Sequence, residues 1–143
     1  MASVLIVDDD VRIQTLLLRW LRPVGHALRF AENSNAALVS ISEHQPSVIV
    51  CDVHMPGANG LWLADRVRAL APTTAIILAT GDGNVPPFES MRKGVVAYVL
   101  KPFDRQMLVN AVAEGVEWSR RAVEQQGRRL ISGETRRLPV PQQ

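Results

Sequence analysis

The sequence predicts an α/β fold: a doubly wound, five-stranded parallel sheet with helices on both faces. Two observations predict it. Short apolar runs alternate with longer amphipathic stretches along most of the chain, which is the order expected of a strand–helix repeat. The apolar runs are continuous, as in residues 4–7, so both faces of each strand are expected to be buried.

The first half of the chain contains three predicted strands and two predicted helices. Residues 4–7 form the first strand, and apolar residues then recur at helical spacing over residues 10–21, until Pro23 and Gly25 end the helix. Residues 27–30 form a second strand. Ser34 is expected to cap a helix that runs to residue 41, and Pro46 precedes a third strand over residues 47–51.

The second half continues the alternation. Pro56, Gly57, Asn59 and Gly60 indicate a loop. The next helix is predicted from a stripe that ends before Pro72, comprising Leu61, Ala64, Val67 and Leu70. A fourth strand over residues 75–79 leads to a flexible connection at residues 81–87 and a short helix to residue 93. The fifth strand covers residues 97–100, and the last helix begins near residue 104.

Length and composition favour a small globular protein. The 143 residues fit one domain, and 47% hydrophobic with 21% charged residues is ordinary for such a protein. No apolar run approaches the roughly 18 residues that a membrane span needs, and no signal peptide is visible. Cys51 is the single cysteine, so an internal disulfide is impossible. These features predict a cytoplasmic protein without a membrane partner.

The charge distribution divides the chain in two. Residues 120–143 carry six arginines against two glutamates, a net charge of +4, so residues 1–119 carry −2 of the overall +2. We therefore expect a mildly acidic folded domain over residues 1–119, followed by a basic helical extension and a disordered tail over residues 120–143. Nucleic-acid binding by this tail is not favoured, because no aromatic residues are interleaved with the arginines.

Polar and charged residues follow four of the predicted strands. Asp8 and Asp9 follow the first strand, Asp52 the third, Thr80 the fourth and Lys101 the fifth. In a parallel sheet of this kind, ligands bind outside the carboxyl ends of the strands. Three carboxylates, one hydroxyl and one ammonium are therefore expected at one edge.

This combination suits phosphoryl transfer with a metal ion. Clustered carboxylates raise one another's pKa unless a counter-charge is present, and an all-oxygen site with room for phosphate is typical of Mg²⁺. Asp52 is the best candidate nucleophile, because a carboxylate can take a phosphoryl group as an acyl phosphate. Lys101 and the Thr80 hydroxyl can contact the phosphoryl oxygens.

Each residue also has a purely structural explanation. A single aspartate at a strand end is usually a turn or a cap, and Asp10 is interpreted as the cap of the first helix. A lysine before Pro102 is usually a solvated loop residue, and Thr80 before Gly81 is usually part of a turn. His54 lacks a second histidine or cysteine placed to complete a metal site, and Cys51 is expected to be a small buried residue. Because these residues occur together at the ends of four different predicted strands, the functional interpretation is favoured.

Four segments resemble the receiver domain of bacterial two-component response regulators. They are "VLIVDDD", "CDVHMPGANG", "LATG" and "YVLKPF", and the similarity runs from about residue 3 to residue 117. The resemblance implies a flavodoxin-like strand order of 2-1-3-4-5, which the residues alone do not give. It also implies a two-component phosphorelay protein in the cytoplasm.

The resemblance implies a role for each site residue. Asp52 would be the phosphoacceptor. Asp9, Asp52 and the backbone carbonyl of His54 would ligate Mg²⁺, with Asp8 acting through water. Lys101 would pair with the phosphoryl group and be followed by a cis peptide bond to Pro102, and Thr80 and Tyr98 would form a switch pair.

Other implied features concern lifetime and partners. His54 and Asp82 occupy the two positions that tune phosphoryl lifetime in this family. Pro86 and Pro87 are less typical, and they crowd the loop before the fourth predicted helix. The phosphoryl donor would be a phosphohistidine on a histidine kinase or phosphotransfer protein. Residues 120–143 are too few for a folded output domain, so the output and its partner are not identified.

Two other functions stay open. One is a receiver that acts as an unphosphorylated scaffold, although such forms generally lose an acid or the lysine. The other is a Mg²⁺-dependent aspartyl-phosphate phosphatase, for which His54 could be the general acid, but no cap domain is visible to hold a substrate. The favoured interpretation is therefore a phosphoacceptor that assists its own phosphorylation and dephosphorylation, and not an enzyme.

Trp118 raises a question about oligomerisation. It lies past the main apolar stripe of the last helix, which comprises Leu108, Val112 and Val116. Tryptophan is enriched among residues that anchor interfaces. We hypothesise a homodimer through the last helix, with packing of Trp118 on its own domain as the alternative.

Overall fold

A single parallel sheet organises the chain. The computed structural model describes residues 2–81 and 93–133, with the backbone alone for residues 132 and 133. The five strands pair in the order β2-β1-β3-β4-β5, which confirms the predicted fold and strand order. They are β1 (Ser3–Val7), β2 (Ala27–Ala31), β3 (Val48–Asp52), β4 (Ala75–Thr80) and β5 (Val95–Leu100).

Four α-helices are described. They are α1 (Val11–Leu21), α2 (Ser34–Glu43), α3 (Gly60–Leu70) and α4 (Arg105–Arg128). A 3₁₀ turn follows α1 at Arg22–Val24, and a π turn follows α4 at Arg129–Gly133. The predicted short helix before residue 93 and most of the connection before it, with Pro86 and Pro87, lie outside the described residues.

Side-chain caps fix where each helix begins. Asp10, Asn33, Asn59 and Asp104 each accept a hydrogen bond from a backbone N–H in the first turn of the following helix. The cap at Asp10 is as predicted. The prediction that Ser34 caps α2 is wrong. Asn33 has the extended backbone of a capping residue, and its side-chain oxygen accepts the hydrogen bond from the helix. Ser34 is instead the first helical residue, and its buried hydroxyl donates to the Ala58 carbonyl at 2.8 Å.

The buried face of α3 is rotated from the predicted stripe. Gly60, Leu63, Ala64 and Val67 face the sheet, whereas Leu70 is 62% exposed. The rotation follows from the close approach at the start of the helix. A Cβ on Gly60 would lie 2.4 Å from the backbone oxygen of Asp52, so only glycine fits there. The side of α3 that carries Gly60 therefore faces the sheet.

The sheet separates two hydrophobic layers. Alternate strand residues point to opposite faces. One set packs with α2 and α3, and comprises Leu5, Val7, Ile49, Cys51, Ile76 and Leu78. The other set packs with α1 and α4, and comprises Val4, Ile6, Val48, Val50, Ala75 and Ile77. Both faces of the central strands are thus buried, as the continuous apolar runs predicted.

The last helix extends beyond the sheet. Gly115 allows close packing, since a Cβ there would lie 3.0 Å from a methyl group of Val48. The Ser119 hydroxyl donates to the Thr73 carbonyl at 2.6 Å, which ties α4 to the connection before β4. The helix is continuous across residues 119 and 120 and ends at Arg128. Residues 134–143, which end the predicted extension and tail, lie outside the described residues. Within the described ranges, no helix is both long and apolar enough to cross a membrane.

Candidate functional site

The predicted residues meet at the carboxyl edge of the sheet. Asp52 and Thr80 are the last residues of β3 and β4, and Asp8 and Lys101 directly follow β1 and β5. In the register, Val7 is opposite Cys51, Asp52 opposite Ala79, and Thr80 opposite Leu100. The parallel pairing therefore brings all four strand ends level with one another.

Three carboxylates form a compact cluster at this edge. One carboxylate oxygen from each of Asp8, Asp9 and Asp52 lies within 4.8 Å of the other two. Asp8 and Asp52 are buried, whereas Asp9 is exposed. The cluster is therefore open on the side of Asp9, where an ion or a phosphoryl group can enter.

Lys101 is shared by the two buried carboxylates. Its Nζ lies 2.8 Å from Asp8 Oδ2 and 3.3 Å from Asp52 Oδ2. Its backbone N–H donates to the Thr80 carbonyl at 2.7 Å, so the side chain starts from a fixed point beside β4. The peptide bond to Pro102 is cis, as the resemblance implied.

The charges at this edge do not balance. Burial raises the pKa of the Asp52 carboxyl, and the nearby Lys101 ammonium opposes this only in part. Burial alone would lower the pKa of Lys101, but the hydrogen bond to Asp8 and the charge of Asp52 outweigh it, so this pKa is raised. Three carboxylates against one ammonium leave an excess of negative charge, which a hard cation with oxygen ligands can neutralise.

Backbone contacts fix the orientation of Asp52. The His54 N–H donates to Asp52 Oδ1 at 3.1 Å, while the His54 side chain is exposed. The Gly60 N–H donates to the Val53 carbonyl at 3.0 Å. The segment after β3 therefore folds back beneath the carboxylate and leaves its second oxygen facing Lys101.

Two supporting residues were missed from the sequence. Gly60 was assigned to a loop, although it begins α3 and lies against the backbone of Asp52. The Asn59–Gly60 pair, a capping residue before glycine, was the signal available. Gln14 donates from Nε2 to the Asp8 carbonyl at 2.9 Å. No feature of the sequence distinguishes it from other polar residues of α1.

Thr80 and Tyr98 lie on the same face of the sheet. Tyr98 pairs with Leu78 in the register, and Thr80 is two residues further along β4. Because side chains alternate along a strand, Thr80, Leu78 and Tyr98 all point towards α2 and α3. Thr80 is fully buried and Tyr98 half-buried. Asp82 lies outside the described residues.

Asp10 and Cys51 have the structural roles expected of them. Asp10 Oδ1 accepts from the Arg12 N–H at 2.9 Å, and its carboxylate pairs with the Arg12 guanidinium, whose hydrogen bond lowers the pKa of Asp10. Cys51 is buried, and burial raises the pKa of its thiol. Asp10 is therefore engaged away from the cluster, and Cys51 is not a reactive thiolate.

Trp118 packs on its own domain. It is half-buried against the layer formed by α1, α4 and the sheet, and the Arg68 guanidinium lies 5.3 Å from its ring centroid. Packing of Trp118 on its own domain thus buries much of its surface. The homodimer through the last helix stays a prediction.

A family model identifies the chain. The model of the response regulator receiver domain matches residues 4–113, which contain Asp8, Asp52 and Lys101. The chain belongs to this family. Response regulator receiver domains are signalling modules of two-component systems, and this chain has their five-stranded fold.

Relatives and solved structures agree with this assignment. The chain is 32% identical over 112 residues to the DNA-binding transcriptional regulator NtrC of Azospirillum brasilense, covering 78% of the chain and 23% of that protein. It is 28% identical over 140 residues to the C4-dicarboxylate transport transcriptional regulatory protein DctD of Rhizobium meliloti, covering 96% and 30%. A signal receiver domain of an HD domain-containing protein from Pseudomonas fluorescens superposes with a TM-score of 0.81 at 27% identity, covering 86% and 92%. The chain thus spans about a quarter to a third of these two curated relatives.

Proposed function

We propose that this receiver domain is a phosphoacceptor that takes a phosphoryl group onto Asp52 and then changes the surface it offers to a partner. The donor is a phosphohistidine of a histidine kinase or phosphotransfer protein. The observation that carries the proposal is the convergence of Asp8, Asp9 and Asp52 within 4.8 Å, with Lys101 Nζ 3.3 Å from Asp52.

The transfer needs one nucleophile and positive charge around the phosphoryl oxygens. A carboxylate oxygen of Asp52 attacks phosphorus and the phosphorus–nitrogen bond breaks. The electron pair of that bond stays on the imidazole nitrogen, which solvent protonates. Lys101 has three N–H donors and uses two on Asp8 and Asp52, so one is available for a phosphoryl oxygen.

The acidic cluster fits Mg²⁺. Its donors are all oxygens, and its excess negative charge requires a counter-ion. Asp9, Asp52 and the His54 carbonyl would hold the ion, and Asp8 would act through water. When bound, Mg²⁺ neutralises charge on the phosphoryl oxygens and allows the anionic group to approach Asp52.

The switch pair links the site to the surface. We infer that the Thr80 hydroxyl donates to a phosphoryl oxygen and that Tyr98 turns inward behind it. Their location on one face of neighbouring strands supports this proposal. The chain then promotes its own phosphorylation by the donor and its own dephosphorylation by water.

Intact mass after incubation with acetyl phosphate and Mg²⁺ tests the proposal. We expect the wild-type chain to gain one phosphoryl group and Asp52→Asn to gain none. Asp10→Asn is the matched control, since Asp10 is a neighbouring aspartate that caps α1, and it should react as the wild type does. Equal labelling of Asp52→Asn would refute the assignment. An unlabelled wild type would indicate a scaffold, and turnover of unrelated phosphomonoesters would indicate a phosphatase.

His54 and Asp82 are proposed to set the lifetime of the acyl phosphate. The backbone N–H of His54 contacts Asp52, and the side chain of the same residue is exposed. This side chain can therefore order or block the attacking water. His54→Ala and Asp82→Ala should each change the rate at which the phosphorylated mass decays. If neither variant alters the decay, these positions do not control hydrolysis.

A further inference from the structure

A second concave site lies at the opposite edge of the sheet. A cavity of about 260 Å³ is formed by the end of α3, the connection before β4, Lys93, and the second half of α4 with the π turn that follows it. A concave site of this size can hold a small molecule.

The cavity is lined by positive charge. Arg68, Lys93 and Arg129 line it together with Gln125 and Gln126, and none of the described residues that line it is acidic. In the described part of the chain, no carboxylate forms an ion pair with these three cations. In contrast, Arg120 of α4 pairs with Glu117 and Glu124.

Arg68 is a cation that is held in place without an anionic partner among the described residues. Its guanidinium donates to the Pro72 carbonyl at 2.8 Å and the Thr74 carbonyl at 2.6 Å, and lies over the Trp118 ring. Its Nε is buried and has no hydrogen-bond partner within residues 2–81 and 93–133. Burial lowers the pKa of this guanidinium. An unpaired, partly buried charge is costly, and an anion beside it relieves that cost.

We propose that this cavity binds a small multivalent oxyanion, that is, a compound carrying carboxylate or phosphate groups. Arg68 and Trp118 form the fixed wall, and Lys93 and Arg129 contact the anion from the open side. The Gln125 and Gln126 amides supply neutral donors. The site is separate from the acidic cluster, which lies at the other end of the strands and repels anions.

Titration calorimetry of the full chain with citrate and with inorganic pyrophosphate tests the proposal. EDTA and constant ionic strength remove metal and general salt effects. Saturable binding of either compound is expected, with acetate as the monovalent control, and the tighter ligand distinguishes carboxylate from phosphate recognition. Absence of saturable binding for both compounds overturns the proposal.

Paired variants separate a defined site from general attraction to a basic chain. Lys93→Gln with Arg129→Gln should weaken binding by about tenfold or more, because both cations line the cavity. Arg66→Gln with Arg121→Gln removes two exposed positive charges elsewhere and should change affinity by less than about twofold. An equal loss in both pairs overturns the proposal. Arg68 is left intact, since its removal disturbs the fold.

A spectroscopic measurement locates the ligand. The indole N–H signal of Trp118, assigned with Trp118→Phe, should shift on binding. The signals of Trp20 and Trp62 should stay in place, since neither residue lines the cavity. Asp52→Asn should bind the anion as the wild type does. Shifts confined to Trp20 or Trp62 contradict the proposed location.

Discussion

The two edges of the sheet place charge in opposite ways. At the carboxyl edge, two buried carboxylates share the ammonium of Lys101, and an exposed third carboxylate leaves the cluster negative. At the amino edge, the Arg68 cation is held by two backbone carbonyls and an aromatic ring and has no carboxylate partner among the described residues. The same parallel sheet thus ends in a negative cluster at one edge and in a group of cations at the other.

The edges also differ in what holds the charged groups. Asp52 is positioned by backbone, namely the His54 N–H and the close contact with Gly60. Arg68 is a long side chain that reaches across from α3, and a Cβ on Gly94 would meet its guanidinium at 2.3 Å. Backbone contacts give a carboxylate little freedom, which suits a reacting group. Arg68 is held by its two backbone carbonyl partners and the Trp118 ring, so its charge stays at one place on the surface.

Loss of Lys101 should have the largest effect on the carboxyl edge. Lys101→Met removes a cation that contacts both Asp8 and Asp52, so the rate of phosphorylation by acetyl phosphate should fall by about 100-fold or more. Rates come from the increase of phosphorylated mass with time. Arg12→Gln, which removes an exposed cation paired with Asp10, serves as the control and should react at the wild-type rate.

A methyl group on Gly60 tests whether backbone packing holds this edge together. The Cβ of Gly60→Ala would lie 2.4 Å from the backbone oxygen of Asp52 and 2.9 Å from the Val53 Cα. The free energy of unfolding should therefore fall by about 1–3 kcal/mol. Gly127→Ala is the control, because its Cβ meets nothing within 4 Å and should stabilise α4 by about 0.5–1 kcal/mol. Urea unfolding measures both, and equal changes would contradict the close packing.

Arg68 and Arg66 provide the corresponding test at the amino edge. Both lie on α3 over a tryptophan, but Arg68 alone donates to the Pro72 and Thr74 carbonyls. Arg68→Met should lower the free energy of unfolding by about 1.5–3 kcal/mol, since hydrogen bonds from a charged group are lost. Arg66→Met should cost about 0.5–1 kcal/mol. Equal losses in urea unfolding would show that Arg68 is no more structural than Arg66.

The raised pKa of Asp52 predicts how stability depends on pH without metal. A carboxyl whose pKa is higher in the folded state binds its proton more tightly when folded, so stability falls as pH rises through the unfolded value and the raised folded value. Asp52→Asn removes the ionisable carboxyl, and with it this loss of stability at higher pH. In EDTA, the variant should therefore be more stable than the wild type near neutral pH, with no such advantage below the unfolded pKa. A wild-type chain that is more stable at neutral pH would contradict the raised pKa.

Asp9 and Asp10 give the finest test at the carboxyl edge. Asp9 belongs to the carboxylate cluster, whereas Asp10 caps α1 and pairs with Arg12. Asp9→Ala should weaken Mg²⁺ binding, measured by calorimetry, more than Asp10→Ala does. Asp10→Ala should instead lower thermal stability, because α1 loses its cap. If both variants lose Mg²⁺ affinity equally, the distinction between ligand and cap is wrong.

Several features could be predicted from the sequence because they depend on local pattern. Continuous apolar runs such as Val4–Val7 require burial on both faces, which gives a parallel sheet covered by helices. Parallel strands place their carboxyl ends at one edge, so the positions of Asp8, Asp52, Thr80 and Lys101 after their strands are enough to group them. The cap at Asp10 follows from a short polar side chain before a helical stripe.

Tertiary structure decided the features that depend on distant neighbours. Leu70 fits a helical stripe but is exposed, because close packing of Gly60 against Asp52 sets the rotation of α3. Arg68, Lys93 and Arg129 are separated in sequence and meet only because α4 runs back along the sheet and beyond its amino edge. Periodicity reports which side of an element is apolar. It does not report which backbone lies against that element. The exact rotation of a helix, and a cavity formed by segments far apart in sequence, therefore come from packing alone.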